Sequence, residues 1–301
     1  MKFVVTGGAG FIGSSFVNLC LEKGHDVIVV DKVTYAGKLE NMALGSTNLK
    51  ILVKDICDVD AEMLEDYDYL VNFAAESHVD NSIEDGRPFV RTNVEGTFNL
   101  LELARKNPNL KKFIQISTDE VYGDMDDYGE GTEADETYPL IGSSYYSSTK
   151  ASADLLVQAA ARTYKLPYII TRTCNNFGPK QHQEKFIPKL LQNVKQNKAI
   201  GVYGDGSNKR EWLYVEDNVR AIYSLLESDA EGIFNIGSGI RYTNNEIVEL
   251  AEKVSKVAIY KDYIEDRKGH DKSYALNSSK IPFIKITKTL EDYFKEQLDE
   301  Y

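Results

Sequence analysis

Between residues 117 and 123 the chain reads Ser117-Thr118-Asp119-Glu120-Val121-Tyr122-Gly123, directly after the apolar run Phe113-Ile114-Gln115-Ile116. Adjacent carboxylates neither prolong a buried strand well nor fill a core. Held a few ångströms apart they cannot ionise equally easily, so one keeps its proton while the other serves as a base. The chemistry open to Asp119 and Glu120 is therefore proton donation coupled to proton removal. The alternative use of the pair is to cap the following turn.

A second group opens the chain. Thr6-Gly7-Gly8-Ala9-Gly10-Phe11-Ile12-Gly13 follows a strand-like segment and leads into a helix-like one. Glycines at 7, 10 and 13 allow a tight turn and close approach of a pyrophosphate to the positive end of that helix. Asp31 ends the next strand-like segment about 20 residues on, where a carboxylate can bond adenosine ribose hydroxyls and repel a 2′-phosphate. This predicts NAD in preference to NADP, and the neighbouring Lys32 weakens that preference without reversing it. A strand-end turn is the other use of Asp31. Tyr146-Ser147-Ser148-Thr149-Lys150 forms a third group, whose spacing sets Tyr146 and Lys150 on one helical face. A lysine beside the phenol, with nicotinamide charge nearby, favours a phenolate able to take a proton from a sugar hydroxyl as hydride leaves the same carbon. In a chain with 19 tyrosines the same spacing also suits a surface pair.

The elements that must carry these groups alternate. Residues 2–6, 26–30, 49–54, 69–73, 112–116 and 167–171 read as buried strands, and 11–22, 89–106 and 147–164 as helices. Pro88 suits the start of the second of those helices. The alternation predicts an α/β fold, a Rossmann-like doubly wound parallel sheet. After about residue 175 loops lengthen and helices at 186–197 and 245–254 sit among short strands. We expect an NAD-binding domain over 1–174, with 205–230 returning to it as a strand and helix. A smaller C-terminal substrate-binding α/β domain over 175–301 ends in a short charged helix at 290–301.

The chain has 301 residues, 42% hydrophobic and 27% charged, which suits a globular protein and argues against disorder. No apolar run reaches the ~18 residues of a membrane span, and the first residues lack a signal-peptide pattern, so a cytoplasmic location without membrane contact is expected. A net charge of −12 argues against nucleic acid as a partner but leaves room for a local cationic pocket. Cys20, Cys57 and Cys174 read as reduced and structural, and the four histidines show no metal-ligand spacing, so no metal is expected. His25 and His182 are expected at the surface.

Taken together, the glycine-rich turn, Thr118, Tyr146 and Lys150 resemble the extended short-chain dehydrogenase/reductase family, whose triad is Ser/Thr, Tyr and Lys. The acid pair after Thr118 resembles the nucleoside-diphosphate-glucose 4,6-dehydratases within it. So do Asp31-Lys32-Val33-Thr34-Tyr35-Ala36-Gly37, Phe73-Ala74-Ala75-Glu76-Ser77-His78-Val79-Asp80, Asn175-Asn176-Phe177-Gly178-Pro179, Glu184-Lys185-Phe186-Ile187-Pro188, Arg210-Glu211-Trp212-Leu213-Tyr214-Val215-Glu216-Asp217 and Arg267-Lys268-Gly269-His270-Asp271. The chain departs from the pattern at Glu211, where Asp is usual, at Lys268, where Pro is usual, and at Asn277, where an acid is usual.

This resemblance implies a lyase acting on a nucleoside-diphosphate hexose, dTDP-glucose or alternatively UDP-glucose, with NAD as cofactor. It implies Thr118, Asp119, Glu120, Tyr146 and Lys150 as catalytic residues. Around NAD it implies Gly7, Gly10, Phe11, Ile12, Gly13, Asp31, Lys32, Thr34, Ala36, Gly37, Asp55, Ile56, Ala74, Ala75, Ser77, Thr92, Tyr146, Lys150 and Asn176. Around the sugar nucleotide it implies Ser77, Thr118, Asn175, Lys185, Phe186, Val202, Tyr203, Arg210, Asn245, Arg267 and His270. A homodimer through the 89–106 and 147–164 helices is also implied. The rivals are a sugar-nucleotide 4-epimerase, which has no use for the acid pair, and an NAD-binding protein without catalysis.

Overall fold

The computed structural model describes every residue except 65, 130, 282–283 and 299–301. In chain order its elements are β1 (Lys2–Thr6), α1 (Phe11–Glu22), β2 (Asp26–Asp31), β3 (Leu49–Val53), β4 (Tyr69–Asn72), α2 (Val79–Glu84), α3 (Arg87–Phe89), α4 (Thr97–Ala104), β5 (Lys112–Thr118), α5 (Tyr145–Tyr164), β6 (Tyr168–Thr173), β7 (Asn175–Phe177), α6 (Phe186–Lys195), β8 (Ile200–Tyr203), β9 (Lys209–Tyr214), α7 (Val215–Glu227), β10 (Gly232–Ile236), β11 (Arg241–Thr243), α8 (Asn244–Ser255), β12 (Lys261–Ile264) and α9 (Leu290–Leu298). A π-helical stretch, Val90–Gly96, joins α3 to α4, so the helix expected at 89–106 is continuous but locally overwide.

Among the described residues, a seven-stranded sheet runs β10-β6-β5-β4-β1-β2-β3, parallel at every pairing. Such a sheet is covered on both faces, which is why its strands are near-continuous apolar runs. In β1, Phe3 and Val5 enter the core with Phe16 of α1 and Ile222 of α7, while Val4 enters the opposite core with Leu100 of α4 and Val157 of α5. Strand order reverses between β1 and β4, so the loops after them diverge and leave a crevice at the carboxyl edge. A three-stranded sheet (β11-β9-β7), the β12-β8 pair and α6, α8 and α9 build a second lobe around Ile187, Leu190, Ile200, Trp212, Ile247 and Phe294.

Three details differ from expectation. The strand expected to stop at 116 runs through Thr118, because Ser117 and Thr118 pair with Arg172 and Thr173. The returning segment divides. Lys209–Tyr214 pairs with β7 and β11 in the small sheet, α7 packs on α1, and the strand rejoining the large sheet is Gly232–Ile236, beyond 205–230. The uncharged Gly232–Ile236 suits a sheet buried on both faces better than a strand containing Lys209, Arg210 and Glu211. His25 is not a surface residue but half-buried, 2.7 Å from the Tyr223 hydroxyl and packed on Phe3. Of the expected terminal helix, residues 299–301 lie outside the described residues.

Beneath the carboxyl edge lies a buried ion pair. Arg172 of β6 and Asp154 of α5, 2% and 0% exposed, meet at 2.9 Å. The same guanidinium donates to the Tyr122 hydroxyl at 2.9 Å, and that hydroxyl donates to Asn235 Oδ1 of β10 at 2.7 Å. Asp154→Asn would leave the guanidinium without a counter-charge, and urea unfolding is expected to register a loss of about 3–5 kcal/mol. Replacing both partners, Asp154→Leu with Arg172→Met, is expected to cost less. Equal costs would show that the two do not act as a unit.

Candidate active site

The parallel strands deliver their following loops to one cleft of about 860 Å³ between the lobes. After β1 the glycine-rich turn is packed too closely for side chains. A Cβ on Gly7, whose φ is 66°, would lie 2.6 Å from the Ala74 nitrogen, and one on Gly13 would lie 2.2 Å from the Gly7 carbonyl oxygen. Helix α1 starts at Gly10 with no side-chain cap and no acid in its first turn, so its N–H groups and positive end face the cleft. These features fit a dinucleotide pyrophosphate. Asp31 also pins the turn, since its carboxylate accepts from the Ala9 N–H at 2.9 Å and the Val33 N–H at 2.8 Å. Lone pairs remain for a ribose. Gly10, Phe11, Ile12, Lys32, Thr34, Ala36, Gly37, Asp55, Ile56, Ala74, Ala75, Ser77, Thr92 and Asn176 line the same cleft.

At the end of β5, Thr118 caps the 3₁₀ turn Asp119–Tyr122 by accepting from the Glu120 N–H at 3.3 Å. Its hydroxyl donates to Asp119 Oδ1 at 3.1 Å, and Asp119 Oδ2 is buried with no partner among the described residues. Capping and proton chemistry thus fall to different groups: the Thr118 hydroxyl makes the cap, and both carboxyls face the cleft. Burial pushes Asp119 well above the usual carboxylate range, and the charges of Glu120 and Glu211 push it further. Burial also raises half-buried Glu120, and Arg267, Arg210 and Lys185 offset only part of that rise. Both carboxyls are raised, Asp119 the more strongly, which makes Asp119 the better proton donor of the two.

Helix α5 begins in a capping box between Ser144 and Ser147, which sets Tyr146 in its first turn and Lys150 one turn on. The Tyr146 ring packs with Val79 and Phe89. Burial and the charge of Glu120 hold its phenol above the usual range, while the Thr118 hydroxyl acts in the opposite sense. Lys150 is 4% exposed and donates to the Ile116 carbonyl at 2.5 Å. Burial lowers its pKa to about 8, opposed by Asp154, so it remains an ammonium at neutral pH.

The second lobe supplies cations. Arg210 donates to the carbonyls of Lys209, Lys272 and Asp271 and lies over the Tyr274 ring at 4.3 Å, leaving two of its five N–H donors for a ligand. Arg267 faces Asp80 at 3.7 Å, and its buried Nε has no partner among the described residues. Lys185 reaches across the cleft to donate to the Ser77 carbonyl at 3.3 Å. His270, lowered to about 4 mainly by burial, is neutral and can offer a hydrogen bond but no charge. Asn175, Phe186 and Tyr203 also line the cleft.

Two residues assigned to substrate lie elsewhere. Alternation in β8 turns Val202 into the core of the second lobe and leaves Gly201 and Tyr203 facing the cleft. Asn245 donates to the Asp205 carbonyl at 2.8 Å and accepts from the Tyr263 hydroxyl at 3.2 Å, while its helical neighbour Asn244 lines the cleft. His182, expected at the surface, lines the cleft edge-on to Tyr35. Glu76, His78, Asp80, Trp212 and Tyr274 also line it without an assigned role. The first three follow the buried strand β4, a position that could have marked them. Nothing in the sequence marked Tyr274.

A sequence model described as the NAD dependent epimerase/dehydratase family matches residues 3–237. The chain is 48% identical over 287 residues to the low-salt glycan biosynthesis protein Agl12 of Haloferax volcanii, covering 93% of this chain and 91% of that protein. It is 43% identical over 309 residues to the dTDP-glucose 4,6-dehydratase of Neisseria gonorrhoeae, covering 93% and 88%. The crystal structure of DesIV, a dTDP-glucose 4,6-dehydratase from Streptomyces venezuelae with NAD and TYD bound, superposes with a TM-score of 0.92 at 37% identity, covering 100% of this chain and 97% of that one. With a matching model over most of its length and relatives of this similarity, the chain belongs to the NAD dependent epimerase/dehydratase family.

Proposed function

We propose that the chain is an NAD-dependent lyase that removes one water from a nucleoside-diphosphate glucose, dTDP-glucose first, to give a 4-keto-6-deoxy sugar. The carrying observation is the adjacent acid pair in one cleft with Tyr146 and Lys150, Asp119 raised the more strongly and Glu120 eased by three cations. Tyr146 takes the proton of the C4 hydroxyl as C4 is oxidised. Burial and Glu120 favour its phenol, so the step needs the phenolate that the Lys150 ammonium and the positive nicotinamide ring of bound NAD would favour. The new ketone acidifies the C5 hydrogen, which Glu120 removes, while Asp119 protonates the departing C6 hydroxyl. The proton held by Glu120 then returns to C5, and Tyr146 passes its proton to solvent while Asp119 regains one from it, which restores both groups. When bound, NAD would supply the hydride acceptor for C4 and the hydride donor for C6, so the cofactor would be unchanged over the cycle. Lys185, Arg210 and Arg267 are suited to the diphosphate, as a point charge and two planar forks.

A 4-epimerase would need Tyr146 and Lys150 but not the acid pair, and the intact triad disfavours a protein that only binds NAD. The three free cysteines and the absence, among the described residues, of a helix long and apolar enough to cross a membrane agree with work in the cytoplasm. We further propose a homodimer. Val90 and Phe98 on one helix and Leu155 on the adjoining α5 are 45%, 54% and 56% exposed, an apolar face suited to a two-fold helical interface.

Incubation with dTDP-glucose is expected to give a product lighter by one water, and UDP-glucose to react more slowly. A product of unchanged mass would replace dehydration with epimerisation. Glu120→Gln is expected to keep C4 oxidation, seen as reduced-nicotinamide absorbance on the protein, while dehydration falls by about a hundredfold or more. Wild-type turnover in that variant would remove Glu120 from the reaction. Phe98→Glu with Leu155→Glu is expected to convert a sedimenting dimer to monomer, and a monomeric wild type would end the dimer proposal.

A further inference from the structure

We propose that Glu76 fixes the choice between NAD and its 2′-phosphorylated form by holding Lys32 away from the ribose edge that Asp31 serves. A lysine directly after that aspartate is a side chain able to reach a 2′-phosphate, and it would offset the repulsion from Asp31. In this structure its Nζ lies 3.0 Å from Glu76 Oε1 and 4.0 Å from Asp55 Oδ2, and it donates to Thr92 Oγ1 at 3.3 Å. The Lys32 and Glu76 side chains are 32% and 18% exposed, so the pair is screened less than a surface pair. Lys32, Asp55, Glu76 and Thr92 all line the cofactor end of the cleft, together with Asp31.

Glu76 is itself clamped. Its N–H donates to Asn93 Oδ1 at 2.9 Å, and the Asn93 amide donates back to the Glu76 carbonyl at 3.1 Å. Asn93 is 1% exposed, sits in the π-helical stretch and donates to Thr149 Oγ1 of α5 at 3.0 Å. The carboxylate therefore acts from a fixed main chain. Arg91, another cation near Asp55, is 3.8 Å from it and 3.4 Å from Asp58. A 2′-phosphate arriving beside Asp31 would meet a carboxylate, with Lys32 and Arg91 already paired with acids and Lys54 a further cation of the cleft lining. The inference rests on the dinucleotide reading of this cleft and adds a residue that enforces it.

Titration calorimetry of nucleotide-stripped protein with ADP-ribose and with 2′-phospho-ADP-ribose tests this by binding, independently of turnover. Glu76→Gln is expected to shift the affinity ratio toward the 2′-phosphate by roughly tenfold, the size of one gained charge-assisted contact. Adding Lys32→Met is expected to cancel that gain. An unchanged ratio in Glu76→Gln, in a protein that still binds ADP-ribose, overturns the role of Glu76. A wild-type chain that binds neither probe overturns the dinucleotide reading instead. If Glu76→Gln does not fold, Lys32→Met alone decides. An unchanged wild-type ratio supports a sequestered lysine, and a loss of 2′-phosphate affinity shows that Lys32 already reaches it and overturns the proposal.

Discussion

The buried contact between Asp154 and Arg172 joins every part of the proton-handling site. Asp154 lies one helical turn beyond Lys150 on α5, and Arg172 precedes Thr173 at the carboxyl end of β6. Through Tyr122 the guanidinium also holds the turn that begins with Asp119 and Glu120. One ion pair thus ties the helix of the phenol and ammonium to the turn of the acid pair. A buried pair contributes little net stability against an apolar replacement, but it penalises any arrangement that separates its charges. Its effect here is geometric: helix and strand cannot slide past each other without leaving a charge unpaired.

Above this anchor, position within the cleft sets the charge of each group. The chain carries a net charge of −12, yet Lys185, Arg210 and Arg267 converge on the cleft from the second lobe. Glu120 feels those three cations, whereas Asp119 feels the carboxylates of Glu120 and Glu211 against Arg210 alone. Two neighbouring acids in one turn are raised to different degrees because three cations offset burial at Glu120 and one cation does so at Asp119. Glu211 is held by the N–H groups of Gly239 and Leu276 at 2.7 and 3.3 Å, so the longer side chain at this departure from the family pattern still finds partners.

Much of the first lobe was legible because parallel strands buried on both faces cannot hide their apolar runs, and because Gly7 and Gly13 stand where a Cβ has no room. The second lobe was less legible. Its strands are short and partly charged, so Lys209–Tyr214 could not be told from a strand of the large sheet until its pairing with β7 and β11 was seen. Val202 and Asn245 fall outside the cleft lining for a related reason. A one-residue step along a strand or a helix turns a side chain to another face, and a motif match does not fix that phase.

The sequence by itself determined the strand–helix alternation, the glycine turn, the Tyr146–Lys150 spacing and the adjacency of Asp119 and Glu120, since each is encoded within a few residues. The tertiary structure alone decided which carboxyl is the better proton donor and where Lys32 directs its charge. Those outcomes depend on Glu211, Arg210, Arg267, Glu76 and Asp55, residues remote in the chain whose charges act only through the distances that folding creates.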